Sequence, residues 1–206
     1  MTATDVKARF ATGGTATSTT ALAAEQDPAD GAALTLTAAA ATFAQADDGS
    51  CTVQKVTLTS GSGDDNSDVT YTIVGTDGMG ASQTEDLVGG AGGATVTSTK
   101  FYNTVTSITG NGAASVDITA GVTSSGMHAV LWTGRTRIKG MHGVISSADN
   151  FLFKTTSSTG TTVMTIPADA GDLDPYIPDD GVLFSAGAYL PMDQGDITGL
   201  TVYLDA

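Results

Sequence analysis

The sequence predicts an all-β protein, and three observations carry the prediction. Thr, Gly, Ala, Ser and Asp dominate, with 26 Gly in 206 residues, a composition suited to short strands joined by tight turns. Of the 22 acidic residues only Glu25 and Glu85 are Glu; Asp prefers turns and caps, whereas Glu and Lys favour helices. Apolar and polar residues alternate with period two in Leu34-Thr-Leu36-Thr, Val56-Thr-Leu58-Thr and Val69-Thr-Tyr71-Thr-Ile73, as in half-buried strands.

Along the chain, residues 1–31 read as an irregular segment. Gly13-Gly14, a Thr/Ser run and Asp27-Pro28-Ala-Asp30-Gly31 bury too little apolar surface to order by themselves. They are expected to form a flexible tail or an extended arm that orders against a neighbouring subunit. Residues 32–125 are expected to form an immunoglobulin-like β-sandwich, with strand-and-turn units every 8–12 residues. Within it, 38–46 is the one helix candidate, anchored by Phe43, and also reads as an Ala-rich strand or loop. Ser60–Ser67 is a turn cluster, Asp77-Gly78 carries a hairpin signal, and Gly89–Gly93 is a loop. Val96, Val105, Ile108, Val116 and Ile118 mark later strands.

The expected boundary is Gly121–Gly126, after which large apolar residues become denser. Residues 126–206 then carry strand signals at 128–133, 135–146, 150–156, 161–166, 181–190 and 199–204. Between them 169–181 is an irregular loop in which Pro175 and Pro178 lack ladder donors. Six strands in so short a stretch predict a small jelly-roll-like sandwich or barrel.

The net charge of −14 argues against nucleic acid and against an anionic membrane as partners, since both attract basic surfaces. No stretch approaches the roughly 20 apolar residues of a membrane helix, and the first ten residues carry no leader pattern. The single cysteine, Cys51, forms no intrachain bridge and is expected to pack as a small apolar residue at the start of a strand.

Gly75-Thr-Asp-Gly-Met-Gly80, then Thr84-Glu-Asp-Leu87, then Thr95-Val-Thr-Ser-Thr-Lys100-Phe-Tyr-Asn-Thr-Val105-Thr-Ser-Ile-Thr109 resembles a module recurrent in tailed-bacteriophage virion proteins. Ile177-Pro-Asp-Asp-Gly181 through Leu190, and Ile197–Tyr203, resemble the last domain of small phage structural proteins. The resemblance covers about half of the chain. It implies β-sandwich modules, no cofactor, and function through assembly rather than catalysis. The implied role is a capsid decoration or cement protein on the virion surface. It would be made in the host cytoplasm, contact the major capsid protein or other virion proteins, and form a homo-oligomer, with a trimer favoured. A tail, neck or fibre position is the alternative. A carbohydrate-binding adhesin is the competing class; aromatics on one flat face would favour it.

Three constellations stand out as candidate sites. Asp64, Asn66 and Asp68 match the opening of a Ca²⁺ loop, but Val69 stands where that loop needs Gly, and Gly75 where it needs Glu; a solvated turn is expected. Asp169, Asp172, Asp174, Asp179 and Asp180 form a second acidic cluster that would suit Ca²⁺ at an interface. Arg135, Arg137 and Lys139 alternate, so one strand would put all three on one face, directly after Trp132, the only tryptophan. Trp and Arg are enriched at interface hot spots, so these four residues read either as a solvated strand face or as the assembly contact with an acidic neighbour. His128 and His142 fall in expected strands and read as ordinary histidines.

Overall fold

The computed structural model describes residues 6–37, 50–63, 65–112, 117–178, 180–193 and 195–205. Among them there is no α-helix, and the fold is all-β, built of open antiparallel sheets. The helix candidate at 38–46 lies outside the described residues.

The described residues form fifteen strands, numbered in chain order, in three sheets. A five-stranded sheet runs β1 (Val6–Ala11), β15 (Ile197–Asp205), β9 (Thr136–Ile145), β12 (Gly171–Leu173), with β13 (Val182–Phe184) also on β9. A seven-stranded sheet runs β11 (Thr162–Ala168), β10 (Asp149–Lys154), β14 (Ala188–Pro191), β8 (Ile118–Trp132), β3 (Thr52–Ser60), β6 (Thr95–Thr97), with β2 (Ser18–Gln26) on β8. The third sheet runs β5 (Ser82–Val88), β4 (Thr70–Thr76), β7 (Thr104–Gly110). None closes on itself, so of the two forms expected of the C-terminal part, sandwich or barrel, the barrel is not formed.

The Asp-Gly signal is the β4–β5 hairpin. Asp77 accepts from the backbone N–H of Met79 at 2.8 Å and of Ala81 at 2.9 Å, and Gly80 takes φ +81°, where a glycine has no Cβ to clash.

Two expectations about organisation are corrected. Residues 6–11 and 18–26 are strands rather than an arm: β1 pairs with β15 from Val6↔Asp205 to Ala11↔Leu200. The connector between them is held by buried polar side chains. Gln54 accepts from Thr15 N–H at 2.8 Å and donates to Thr15 C=O at 2.7 Å, and the Thr52 hydroxyl donates to Thr12 C=O at 2.8 Å. Their partners lie about forty residues away in sequence, which is why local composition does not reveal them.

The expected boundary at Gly121–Gly126 lies inside β8, the longest strand. Two buried clusters share that strand. Ile118, Ala120 and Val122 pack with Leu22, Val56, Leu58, Tyr71, Ile73 and Ile108. Met127, Ala129 and Leu131 pack with Phe151, Phe153, Phe184, Leu190 and Leu200. The density of large apolar residues after 126 reflects the second cluster, but Ala11 and Cys51 belong to it too. Continuous β8 backbone, rather than a linker, joins the two.

Candidate functional site

The strands β3 and β8 run in register except at one place. Val53 pairs with His128 and Lys55 with Thr123, so two steps along β3 match five along β8. Ser124–Met127 therefore bulge from the ladder, with Gly126 at φ +73°. Bulges bend a strand and re-aim the side chains beside them. Here the bulge presents His128 to an aromatic cluster: its ring lies edge-on to Phe101 at 4.6 Å between centroids and 6.3 Å from Tyr189.

His128 is buried, and its Nδ1 lies 2.9 Å from the Gly126 carbonyl. A carbonyl only accepts, so Nδ1 carries the proton and the neutral ring keeps Nε2 as an acceptor. Burial pushes the His128 pKa down, and the bond to Gly126 opposes that in part. Burial, followed by the charge of Asp77, raises the Tyr189 phenol. The Lys55 ammonium lies 5.1 Å from the Phe101 centroid, within cation–π range.

These groups line a cleft of about 500 Å³, closed on another side by the tip of the β10–β11 hairpin, Ser157-Ser-Thr159. Thr156, just before that tip, takes φ 75° and is the only described non-glycine residue with positive φ. A β-branched residue there is strained, and its N–H is tied to Ala186 C=O at 2.9 Å. Strain of this kind persists only where surrounding contacts impose it, and it clusters at functional sites.

The expected basic cluster is divided. Strand β9 starts at Thr136, so Arg135 is left exposed in the turn. Trp132 is half-buried against the second core cluster, with Lys7 Nζ 4.7 Å from its ring centroid. Arg137 and Lys139 reach the same chain's acidic loop: Arg137 Nη1 donates to Asp180 C=O at 3.4 Å and Gly181 C=O at 3.3 Å, and Lys139 Nζ to Asp180 C=O at 3.1 Å. Thus two of the four fasten the loop before β13, and the single shared face is corrected.

The turn around the Ca²⁺ candidates also diverges. Asn66 is fully buried and donates to Ser60 Oγ at 3.3 Å, whereas Asp68 is exposed. Asp64 lies outside the described residues. The neighbouring Asp65 accepts from Ser67 N–H at 3.0 Å and Ser67 Oγ–H at 2.6 Å, and the turn is tied to the Gly89–Gly93 loop by an Asp65–Ala91 bridge. Among the described residues no group of three or more His, Cys, Asp or Glu gathers as metal ligands do.

Comparison with protein-family models, curated proteins and solved structures finds no match.

A cationic side chain missed in the sequence is Arg9. It projects from β1 and donates through Nη2 to Val130 C=O at 3.2 Å and to Gly78 C=O in the β4–β5 turn. The cluster around His128 also escaped, because Phe101, Tyr189 and 157–159 converge on the bulge from distant segments. The only local signal was Ser-Ser-Gly inside an apolar run, which also reads as a linker.

The outer face of the five-stranded sheet is the main exposed apolar feature. Val6 and Tyr203 alternate with the inward-facing Leu204 and Val202 of the β1–β15 pair, and Val144 and Leu183 flank the buried positions of β9 and β13. These are four of the eight large apolar side chains that the described residues leave exposed. Tyr176, 84% exposed, stands beside Tyr203 and the bare backbone of Gly140.

Proposed function

We propose that this is a structural protein of a tailed-bacteriophage particle, bound to the capsid shell as a decoration protein and acting through surface contacts. The observation that carries the reading is the outer face of the five-stranded sheet. Val6, Val144, Leu183 and Tyr203 are exposed there, interleaved with polar side chains of the same face: Asp205 and Arg137 lie between Val6 and Leu183, and His142 lies between Val144 and Gly140, the partner of Tyr203. A face that mixes exposed apolar and charged side chains has the composition of a non-obligate protein–protein interface. The motif resemblance at 75–109 and 177–203 supplies the particle type. Many copies, each with a modest contact, stiffen a shell by multivalency, and a closed symmetric oligomer around local axes suits the array. The chain's net charge of −14 keeps free copies apart before they meet the shell.

The test is cryo-electron microscopy of the intact particle, with density and copy number assigned. A regular array on the icosahedral shell with the five-stranded sheet facing it supports the reading. A ring of few copies at the neck or tail replaces it with the tail-associated alternative, and absence from the particle overturns both.

A further inference from the structure

The cleft at the β8 bulge combines features that share no purpose in holding the fold. Phe101 and Tyr189 give it aromatic walls, and Ser125, Ser157, Ser158 and Thr159 ring it with hydroxyls. Lys55 supplies one cation, and the neutral His128 an acceptor. At about 500 Å³ it falls within the range of small-molecule sites. The hairpin that carries three of the hydroxyls is fixed in place. Thr155 N–H donates to Thr161 C=O at 3.0 Å, Gly160 N–H to Ser157 C=O at 3.0 Å, and Thr156 N–H to Ala186 C=O. A pocket held this way loses little conformational freedom on binding.

The ligand that fits is amphipathic on the scale of single atoms. A pyranose ring presents C–H groups on one face and hydroxyls around its rim. Aromatic faces take the first, and Ser and Thr hydroxyls, which both donate and accept, take the second. A lone lysine is a point charge without the fork that grips a phosphate from two sides, so it suits a single carboxylate. We propose that this cleft binds a carboxylated sugar unit, with its C–H face on Phe101 and Tyr189, its hydroxyls on Ser125, Ser157 and Ser158, and its carboxylate on Lys55. A buried, uncharged His128 adds an acceptor for a sugar hydroxyl instead of a second cation.

The test is an NMR titration of the whole, free protein with D-glucuronate, D-glucose and inorganic phosphate, so its outcome is separate from that of the particle experiment. Glucuronate is expected to shift the amides of Phe101, His128 and Ser157–Thr159 saturably, with Kd on the order of 1 mM for a ligand of this size. Glucose binds more weakly. Lys55→Met weakens glucuronate roughly tenfold and leaves glucose unchanged. Ser158→Ala, at a hairpin tip outside the core, weakens both sugars. No saturable shift with glucuronate overturns the proposal. So does phosphate binding as tightly as glucuronate, or Lys55→Met leaving the two sugars' ratio unaltered.

Discussion

Cys51 shows how a residue's surroundings decide its chemistry. Its side chain is fully buried in the cluster with Met127 and Ala129. Desolvation raises the thiol pKa to about 11, with the nearby Arg9 charge pulling the other way. The thiolate is the nucleophile, so native protein is expected to resist a thiol reagent at pH 8 and react fully once unfolded; rapid labelling under native conditions would contradict the packing. His128 carries a pH signature. Its folded pKa lies below the ordinary 6.5, so the unfolded chain takes up that proton first. The stability contributed by the neutral ring is complete above pH 6.5 and drains away as pH falls from there to the folded value. Lys55 and Tyr189 line the cleft beside the ring, and Asp77 lies near Tyr189. Denaturant melts between pH 7 and 5.5 should slope for the native chain and flatten for His128→Asn; parallel slopes would refute the assignment. Only one of the two states was legible locally. Cys51 followed from its place in a strand, whereas the importance of His128 depends on Phe101 and Tyr189, which arrive from other strands.

At the scale of elements, period-two alternation exposed β3 and β4, where Val56 and Leu58, and Tyr71 and Ile73, alternate with Thr, and the density of large apolar residues exposed the C-terminal strands. Local pattern missed β1 and β2, whose pairing partners β15 and β8 lie far along the chain. It also split what β8 joins: Gly121 reads as a breaker, yet it is required by a close approach. A Cβ at Gly121 would sit 1.8 Å from Ser18 C=O and 2.7 Å from Ser18 C, so β2 lies directly against bare backbone. Gly121→Ala is expected to cost at least about 2 kcal/mol by prising β2 from β8. Gly112→Ala is the control, since its Cβ meets nothing nearer than 4.0 Å. Urea midpoints distinguish the two, and equal midpoints would show that β2 yields without resistance. The edge strand β5 is protected locally: Glu85 accepts from Thr99 N–H at 2.7 Å and Lys100 N–H at 3.0 Å, placing a charge on the sheet margin, which discourages stray pairing.

For the whole molecule, the assembly reading predicts which surface matters. Tyr203→Lys places a charge at the centre of the exposed sheet face without entering the core, since Tyr203 is 40% exposed. It should lower occupancy on particles at least tenfold with a thermal midpoint close to that of the native chain, as measured by particle pull-down and calorimetry. Arg135→Glu separates the turn from the loop clamp, because Arg135 is exposed while Arg137 and Lys139 hold Asp180. Full incorporation of both variants would remove the sheet face from the assembly account. That face depends on the pairing of β1 with β15, where Val6 meets Asp205. The two strands come from opposite ends of the described chain, so the loop their contact closes is among the longest available, and such contacts form late in folding. During synthesis, β15 leaves the ribosome long after β1. A truncated or stalled product therefore lacks the paired surface altogether, and on the assembly reading a particle would be supplied only with copies whose translation has run through β15.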